Sequence, residues 1–291
     1  MGDYILSGKN IIKALGSKKI LDNCNFEINK EEIVGIFGAN GSGKTTLIKI
    51  ILGYLRPNCG HLYGRDEYKY NPISVAAGLI ETPMFYYSLS GADNLKYFLT
   101  EYSQEKAEYY ADYLGLEKAL YQKVGQYSLG MKQKLALILV LLQNRTLLVF
   151  DEPTNGLDIV AKKRFLQLIQ EKVIQDKISV IITSHQLDEL KSICTSAYFI
   201  RGGHISEKYN LNRDLTQYII SFYTLKDCHV AYERLKNYNV SLDEKRIIVS
   251  LDDERIISQI HSIISNLDVC EVKKNDSMLS DLYVKWENDN E

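Results

Sequence analysis

The sequence has little of what a membrane-spanning or secreted protein requires. Its longest uninterrupted apolar run, Leu135 to Leu142, contains 8 residues, whereas a transmembrane helix needs about 20. The N-terminus also lacks a basic segment followed by an apolar one, which is the pattern of a secretion signal. We therefore expect no segment of this chain to cross a bilayer.

An excess of charge of either sign is also absent. The chain has 35 basic and 37 acidic residues and a formal net charge of −2. Such a balance argues against nucleic acid as the main partner. The length of 291 residues and the 45% content of hydrophobic residues predict one large or two modest globular domains.

Cysteine is scarce and shows no metal-ligand spacing. The number of cysteines is odd and their positions are scattered, which disfavours a disulfide framework. We expect reduced packing residues of a cytosolic protein, and no zinc site, at Cys24, Cys59, Cys194, Cys228 and Cys270.

One stretch near the N-terminus predicts a strand, a glycine-rich loop and a helix in succession. The apolar run Ile33 to Phe37 predicts a buried strand, and Leu47 to Leu52 predicts the start of a helix. The loop between them matches the P-loop pattern, in which glycines let backbone N–H groups surround a phosphate. A simple glycine-rich turn is the alternative. The predicted nucleotide contacts are Gly38, Asn40, Gly41, Ser42, Gly43, Lys44, Thr45 and Thr46.

A second element of a phosphate site is the apolar run Leu147 to Phe150, which ends in Asp151 and Glu152. In a P-loop protein Lys44 reaches the β- and γ-phosphates, while Thr45 and Asp151 hold Mg²⁺. Glu152 is then placed to activate the attacking water. Adjacent acids at a buried strand end are costly unless cations compensate, and Mg²⁺ and Lys44 would do so. The alternative is an exposed acid pair that starts a turn.

Buried strands alternate with helices over most of the chain, which predicts an α/β fold with a mostly parallel sheet. Gly38, Asp151 and His185 each follow a predicted strand. Because the carboxyl ends of parallel strands share one edge of a sheet, these residues should meet there. We also predict a small antiparallel sheet in residues 1–30 and a helical subdomain at about 84–143.

The pattern changes after residue 210. Two rounds of strand and then helix predict a small C-terminal α+β domain. We therefore predict a nucleotide-binding domain in residues 1–210 and an accessory domain in residues 211–291.

The segment Tyr127 to Gln133 resembles the signature motif of ABC-type ATPases. It lies between the P-loop and the acidic strand, as in that family, and it keeps the serine (Ser128) and the second glycine (Gly130) of the strict Leu-Ser-Gly-Gly-Gln pattern. The resemblance implies that these two residues grip the γ-phosphate held by the P-loop of a partner subunit. Asn155 to Asp158 resembles the D-loop of the family. His185 resembles its switch histidine, although a lone histidine after a strand is more often structural.

Two positions depart from the family pattern. Glu81 stands where the Q-loop glutamine is usual; it can still ligate Mg²⁺ or water but cannot donate as an amide. Leu15 stands where an aromatic residue usually stacks on adenine, and leucine offers dispersion without a π-stack. We therefore expect weak base selectivity. The segment Ile80 to Tyr86 is similar to ATPases of bacitracin-resistance and lantibiotic-immunity exporters.

Taken together, the resemblance implies the ATP-hydrolysing motor of an ABC exporter, with ATP and Mg²⁺ as cofactors. Implied partners are a separate membrane permease and a second copy of the chain or a paralogous ATPase. The chain would then lie at the cytoplasmic face of the membrane, held there by the permease, and power the efflux of peptides or antibiotics that it meets only indirectly. The C-terminal domain would regulate or dimerise the motor.

Two other functions remain open at this point. A soluble ABC ATPase of translation or repair usually carries two cassettes or a long coiled-coil insertion, and this chain has one P-loop and no long heptad run. A P-loop kinase or GTPase is the second alternative, and the signature, the D-loop and His185 all argue against it.

Overall fold

The structure is a computed structural model that describes residues 4–64, 70–80, 84–211, 216–251, 256–274 and 278–289. The chain divides into two compact units, Met1–Asn210 and Leu211–Glu291. The elements of the first unit are, in chain order, β1 (Tyr4–Leu15), β2 (Lys18–Asn29), β3 (Ile33–Phe37), α1 (Lys44–Ile51), β4 (Cys59–Gly64), α2 (Pro72–Val75), β5 (Ala76–Leu79), α3 (Gly91–Phe98), α4 (Gln104–Tyr113), α5 (Leu129–Leu141), β6 (Leu147–Phe150), α6 (Ile159–Asp176), β7 (Ser179–Ser184), α7 (Leu187–Leu190), β8 (Ser196–Arg201), β9 (His204–Ile205) and β10 (Tyr209–Asn210).

A mostly parallel sheet forms the centre of the first unit. Among the described residues its strand order is β10-β8-β3-β7-β6-β5, with β9 paired to β8. Strands β5, β6, β7, β3 and β8 run parallel, whereas β9 and β10 pair antiparallel with β8. Every residue of β3, β6 and β7 is buried, which explains their unbroken apolar sequences. The carboxyl ends of these three strands lie side by side.

A separate antiparallel sheet is built from β1, β2 and β4 in the order β2-β1-β4. It extends the antiparallel sheet predicted in residues 1–30 by one later strand. Its apolar side chains share a core with α1, in which Leu6, Ile28, Leu47 and Ile51 are fully buried. This shared core holds the P-loop helix between the two sheets.

Three helices of the predicted helical subdomain begin at serine caps. The side chains of Ser90, Ser103 and Ser128 accept backbone N–H groups at the starts of α3, α4 and α5. Because Ser128 caps α5, that helix begins at Leu129 rather than at Lys132, where its apolar pattern becomes obvious. Among the described residues, no helix combines the length and the apolarity that crossing a membrane would take.

The second unit has its own sheet and core. Its elements are β11 (Thr216–Phe222), α8 (Leu225–Leu235), β12 (Asn239–Asp243), β13 (Arg246–Leu251), α9 (Ile256–Ile264), β14 (Val269–Lys274) and α10 (Met278–Asp289). The strands pair antiparallel in the order β12-β13-β11-β14, which is the split βαβ arrangement. The predicted α+β fold is confirmed, but β12 was not predicted, because this edge strand is mostly exposed and has little apolar alternation.

Two sequence expectations need correction. The apolar pattern from Leu187 to Ile193 predicts a helix over these residues, but the helix ends at Leu190. The chain continues as a turn in which Ile193 N–H bonds to the Leu190 carbonyl at 3.0 Å, three residues back. All five cysteines are free, but Cys59 and Cys270 are exposed and are therefore not packing residues. Among the residues that the structure describes, both lie on strands at the edge of a sheet, β4 and β14.

Candidate nucleotide-binding site

The P-loop follows β3 directly and ends at α1. Glycine is required at its start, because a Cβ at Gly38 would lie 2.2 Å from the Ile200 carbonyl oxygen of β8. It is also required at Gly43, whose φ of 117° is in the left-handed region that side chains disfavour. The buried hydroxyl of Ser42 has no hydrogen-bond partner among the described residues. This orphaned polar atom fits a loop that is shaped to receive a phosphate oxygen.

The Lys44 ammonium is buried inside this loop. It donates to the carbonyl oxygens of Gly38 at 2.7 Å and Ala39 at 3.2 Å, and it lies 3.5 Å from a carboxylate oxygen of Glu152. A buried ammonium requires such partners. These contacts hold one positive charge at the place where the phosphates of a nucleotide would bind.

Thr45 and Asp151 meet across the end of the central sheet. The Thr45 hydroxyl donates to Asp151 Oδ2 at 2.6 Å, although the two residues are 106 positions apart. A hydroxyl and a carboxylate are the hard oxygen ligands that Mg²⁺ prefers. These two side chains therefore fit the ion, and they are the pair that the sequence predicts for it.

Glu152 is held by several groups at once. Its carboxylate accepts from Asn155 Nδ2 at 2.7 Å and lies 3.1 Å from His185 Nδ1. Burial alone would raise the pKa of this carboxyl. The Asn155 hydrogen bond and the interactions with His185 and Lys44 outweigh burial and hold the pKa below its usual value. Glu152 is therefore a carboxylate at neutral pH, aimed at the space above the P-loop.

A cavity of about 260 Å³ lies over the P-loop. P-loop residues between Asn40 and Thr46 line it together with Lys18, Ile20 and Glu152. Lys18 and Ile20 were not predicted, because nothing in the strand pattern of β2 distinguishes these two positions. Leu15 is half exposed at the end of β1 and is not among the residues that line this cavity.

The signature segment lies beside the loop that follows Glu152. A Cβ at Gly130 would be 2.7 Å from the carbonyl oxygen of Gly156, so glycine lets α5 approach this loop closely. Gln133 Nε2 of the same helix donates to the Pro153 carbonyl at 3.0 Å. Ser128 caps α5 through the N–H of Met131. The start of α5 and the Asn155–Asp158 loop therefore form one packed unit.

Glu189 links this loop to the segment around His185. Its carboxylate accepts from Thr154 Oγ1 at 2.8 Å, pairs with Lys162, and lies 3.5 Å from Ser184 Oγ. Because Thr154 follows Glu152 closely and Ser184 precedes His185, the carboxylate ties together the two loops whose side chains meet at the site. The sequence offered no signal for this role of Glu189.

The structure brings most of the predicted site residues to one edge of one sheet. Lys44, Thr45, Asp151, Glu152 and His185 are joined there by the contacts above. Ser128 caps the neighbouring helix α5 and Gly130 lies in its first turn. Leu15 lies at the end of β1, and Glu81 lies outside the described residues. A P-loop beside β3, an acidic pair after β6 and a histidine after β7 define the site of a P-loop nucleotide hydrolase.

Comparisons with known proteins identify the family. The family model for ABC transporters matches residues 21–155. The chain is 30% identical to the uncharacterized ABC transporter ATP-binding protein YdbJ of Bacillus subtilis over 98% of this chain and 96% of that protein. It is 31% identical to the bacitracin transport ATP-binding protein BcrA of Bacillus licheniformis over 70% of this chain and 69% of that protein. The chain belongs to the family of ABC transporter ATP-binding proteins.

A solved structure, the ATP-binding subunit of an ABC transporter, agrees in fold. It matches with a TM-score of 0.64 and 25% identity over 72% of this chain and 91% of that chain. The predicted ABC ATPase fold and the resemblance to bacitracin-type ATPases are therefore confirmed.

Proposed function

We propose that this protein is the ATP-hydrolysing motor subunit of an exporter that moves peptides or antibiotics through a separate membrane permease. The observation that supports it most directly is the convergence of Lys44, the Thr45–Asp151 pair and the Glu152–His185 pair at one sheet edge. Phosphoanhydride hydrolysis needs a positive charge on the phosphates, a site for the metal ion and a base for the water. Lys44, the Thr45–Asp151 pair and the Glu152–His185 pair match these requirements in that order.

In this proposal the phosphates of ATP enter the cavity over the P-loop and contact Ser42 and Lys44. Thr45 and Asp151 would hold Mg²⁺, which would supply positive charge to neutralise the phosphates. Lys44 exchanges its present partners for phosphate oxygens, which frees the Glu152 carboxylate. Glu152 then takes a proton from the attacking water while His185 and Asn155 keep the carboxylate in place. The water oxygen bonds to the γ-phosphorus as the bond from that phosphorus to the bridging oxygen breaks, and the bridging oxygen leaves with ADP. The products are ADP and phosphate.

A second copy of the chain is the proposed partner at this site. Three apolar side chains beside the site, Leu129, Ile159 and Val160, are mostly exposed. They flank the start of α5, which carries Ser128 and Gly130, and the Asn155–Asp158 loop. Burying them against another copy would place Ser128 and Gly130 on the phosphates of the opposite subunit. A paralogous ATPase with the same surface would serve equally.

An exposed aromatic cluster supports a permease as the other partner. Tyr86 and Tyr97 pack edge to face, with ring centroids 4.8 Å apart, and Tyr86 stacks on Phe98 at 6.0 Å. All three side chains are exposed, as is the neighbouring Met84. Such a patch suits a short apolar helix of a membrane protein. Docking there would hold the motor at the cytoplasmic face of the membrane.

The cargo assignment rests on relatives. BcrA is by its name a bacitracin transport protein, and the segment around Glu81 is similar to such ATPases. Glu81 is proposed to assist Mg²⁺ or water in place of the usual glutamine. The second unit, residues 211–291, is proposed to regulate or dimerise the motor.

The decisive experiment is the solution mass of Glu152→Gln with and without Mg-ATP. The substitution keeps the size of the side chain but removes the base, so ATP binds without being hydrolysed. We expect an ATP-dependent dimer, and we expect Ser128→Arg in the same background to abolish it.

The matched control is Ser103→Arg, which places the same bulk and charge at another serine-capped helix start. This variant should still dimerise. A chain that stays monomeric on its own in every condition, and also with its permease, would contradict the composite site.

A further inference from the structure

A buried hydroxyl outside the predicted site contacts both acidic residues of the site. Thr183 is a residue of β7 and is fully buried. Its Oγ1–H donates to Asp151 Oδ1 at 2.6 Å, and the same oxygen accepts the backbone N–H of Glu152 at 3.0 Å. One side chain thus uses its single donor and one of its acceptor positions on two adjacent residues.

We infer that Thr183 is a positioning residue for hydrolysis, whose hydroxyl sets the orientation of the Asp151 carboxylate and of the Glu152 backbone together. The inference rests on the proposed function, which assigns Asp151 to the ion and Glu152 to the water. Thr183 is fully buried and acts through these two residues, without contacting the nucleotide.

The contact with Asp151 fixes the plane of its carboxylate. Thr183 occupies Oδ1 while Thr45 occupies Oδ2, each at 2.6 Å. With both oxygens held, the carboxylate cannot rotate about its terminal torsion, which is otherwise a soft one. The oxygen that faces Thr45 is therefore already directed to the place where Mg²⁺ would bind.

The contact with Glu152 supports an uncommon backbone conformation. Glu152 has a φ of 45°, which is in the left-handed region, where residues other than glycine are sparse. Such a conformation persists only where neighbouring groups hold it. The hydroxyl of Thr183 satisfies the N–H of Glu152 in that conformation. As a result the side chain points to Asn155, His185 and Lys44.

The surroundings of Thr183 show that its hydroxyl is not incidental. The preceding residues of β7, Val180 to Ile182, are apolar and fully buried. A hydroxyl in such a place is unfavourable unless it is hydrogen-bonded. Valine has the same shape and would fill the same space, so the hydroxyl is what distinguishes this position.

The test compares Thr183→Val with Thr183→Ser in the full chain. Valine keeps the shape and removes the hydroxyl, whereas serine keeps the hydroxyl. We expect Thr183→Val to lower kcat by about 10- to 100-fold, the scale of a misplaced catalytic group, and to raise the Mg²⁺ concentration for half-maximal activity. Binding of a fluorescent ATP analogue without Mg²⁺ should change by less than about threefold. Thr183→Ser should recover most of kcat and the Mg²⁺ response.

Thr195→Val is the matched control. Thr195 also makes two hydrogen bonds through one hydroxyl, to the N–H and the carbonyl oxygen of Ile33, at 3.0 and 3.1 Å. These lie at the start of β3, at the opposite end of the strand from the P-loop. The same substitution there should leave the Mg²⁺ dependence unchanged. If Thr183→Val does not fold, Thr183→Ala provides a second chain without the hydroxyl.

Three results would overturn the inference: wild-type kcat and Mg²⁺ dependence in the hydroxyl-free variants, equal impairment in Thr183→Ser, or an equal Mg²⁺ shift in Thr195→Val. Each result would leave the proposed function intact as long as the wild-type chain hydrolyses ATP and the Glu152→Gln variant dimerises when ATP is added. A wild-type chain that, with its permease, neither hydrolyses ATP nor dimerises would reject both.

Discussion

Glu152 shows how a single residue can depend on its neighbours for its conformation. A left-handed backbone at a residue other than glycine costs about 1–3 kcal/mol, and the φ of Glu152 is 45°. Its carboxylate interacts with Asn155, His185 and Lys44. These polar contacts offset the strain and keep the proposed base in position before any nucleotide binds.

The first prediction concerns Leu15. Because leucine cannot stack on a base as an aromatic ring does, the wild-type chain should hydrolyse ATP and GTP at rates within about threefold of each other. Leu15→Tyr should tighten ATP binding by about 2- to 10-fold, the equivalent of one aromatic contact. Steady-state hydrolysis and equilibrium binding with both nucleotides measure this.

Ile73→Tyr serves as the control for this variant. Ile73 is also an exposed apolar residue, on α2. A tyrosine there should change neither the binding nor the hydrolysis of ATP and GTP. A strong ATP preference in the wild-type chain would contradict the assignment of Leu15 to the base. The base would then lie against Lys18 and Ile20, which line the cavity.

Between elements, a mostly buried ion pair joins the start of β3 to the end of the first unit. Lys208 Nζ donates to both carboxylate oxygens of Glu32, at 2.7 and 2.9 Å. Glu32 also accepts the N–H of Asn29 and the hydroxyl of Ser196. The pair thereby connects the β2–β3 turn to β8 and to the segment before β10.

The second prediction is that Lys208→Met lowers the free energy of unfolding by about 2 kcal/mol. Removing one partner leaves the Glu32 carboxylate with less compensation in a poorly solvated place. Urea unfolding of the full chain measures the change. Nucleotide binding should be unaffected, because the pair lies at the opposite end of β3 from the P-loop.

Lys236→Met is the matched control for this stability measurement. Lys236 pairs with Glu233 at 2.7 Å on the exposed surface of α8. Exposed ion pairs contribute little to the free energy of unfolding, so we expect no measurable change in it. Equal effects of the two substitutions would show that burial of the Glu32 pair is unimportant.

At the scale of the whole molecule, the two units have separate apolar cores. The cluster that includes Leu6, Leu47 and Val149 belongs to the first unit, and the cluster that includes Ile220, Val249 and Ile260 belongs to the second. A unit with its own core can in principle fold alone. Nucleotide binding by the first unit should therefore not depend on the second.

The third prediction follows from these separate cores. A chain that ends at Asn210 should fold and bind ATP with an affinity within about threefold of the full chain. If the second unit regulates or dimerises the motor, the truncation should change the ATP-dependent dimerisation of Glu152→Gln or the transport rate with the permease. Light scattering measures the dimerisation, and a transport assay with the permease measures the transport rate.

Unchanged dimerisation and transport in the truncated chain would mean that residues 211–291 only stabilise the protein. Loss of folding would instead show that the two cores are not independent. Full-length Glu152→Gln, measured in parallel, is the reference for both outcomes.

Much of the fold was predictable because its signals are local. The strand, loop and helix of the P-loop are contiguous in residues 33–52, and unbroken apolar runs identify β3, β6 and β7 as buried on both faces. Elements without such a pattern were missed. The edge strand β12 is mostly exposed, and the two-residue strands β9 and β10 are too short to show any periodicity.

The class of the protein can be recognised from its amino-acid sequence, because a P-loop, an acidic strand end and a signature segment each have a local pattern. Folding is what brings the supporting groups to those residues. Thr183, Asn155 and Glu189 act through hydrogen bonds whose partners are set by strand order and loop packing. Strand register brings Thr183, 32 positions away, to the carboxylate of Asp151, and no local sequence pattern encodes a contact of that kind.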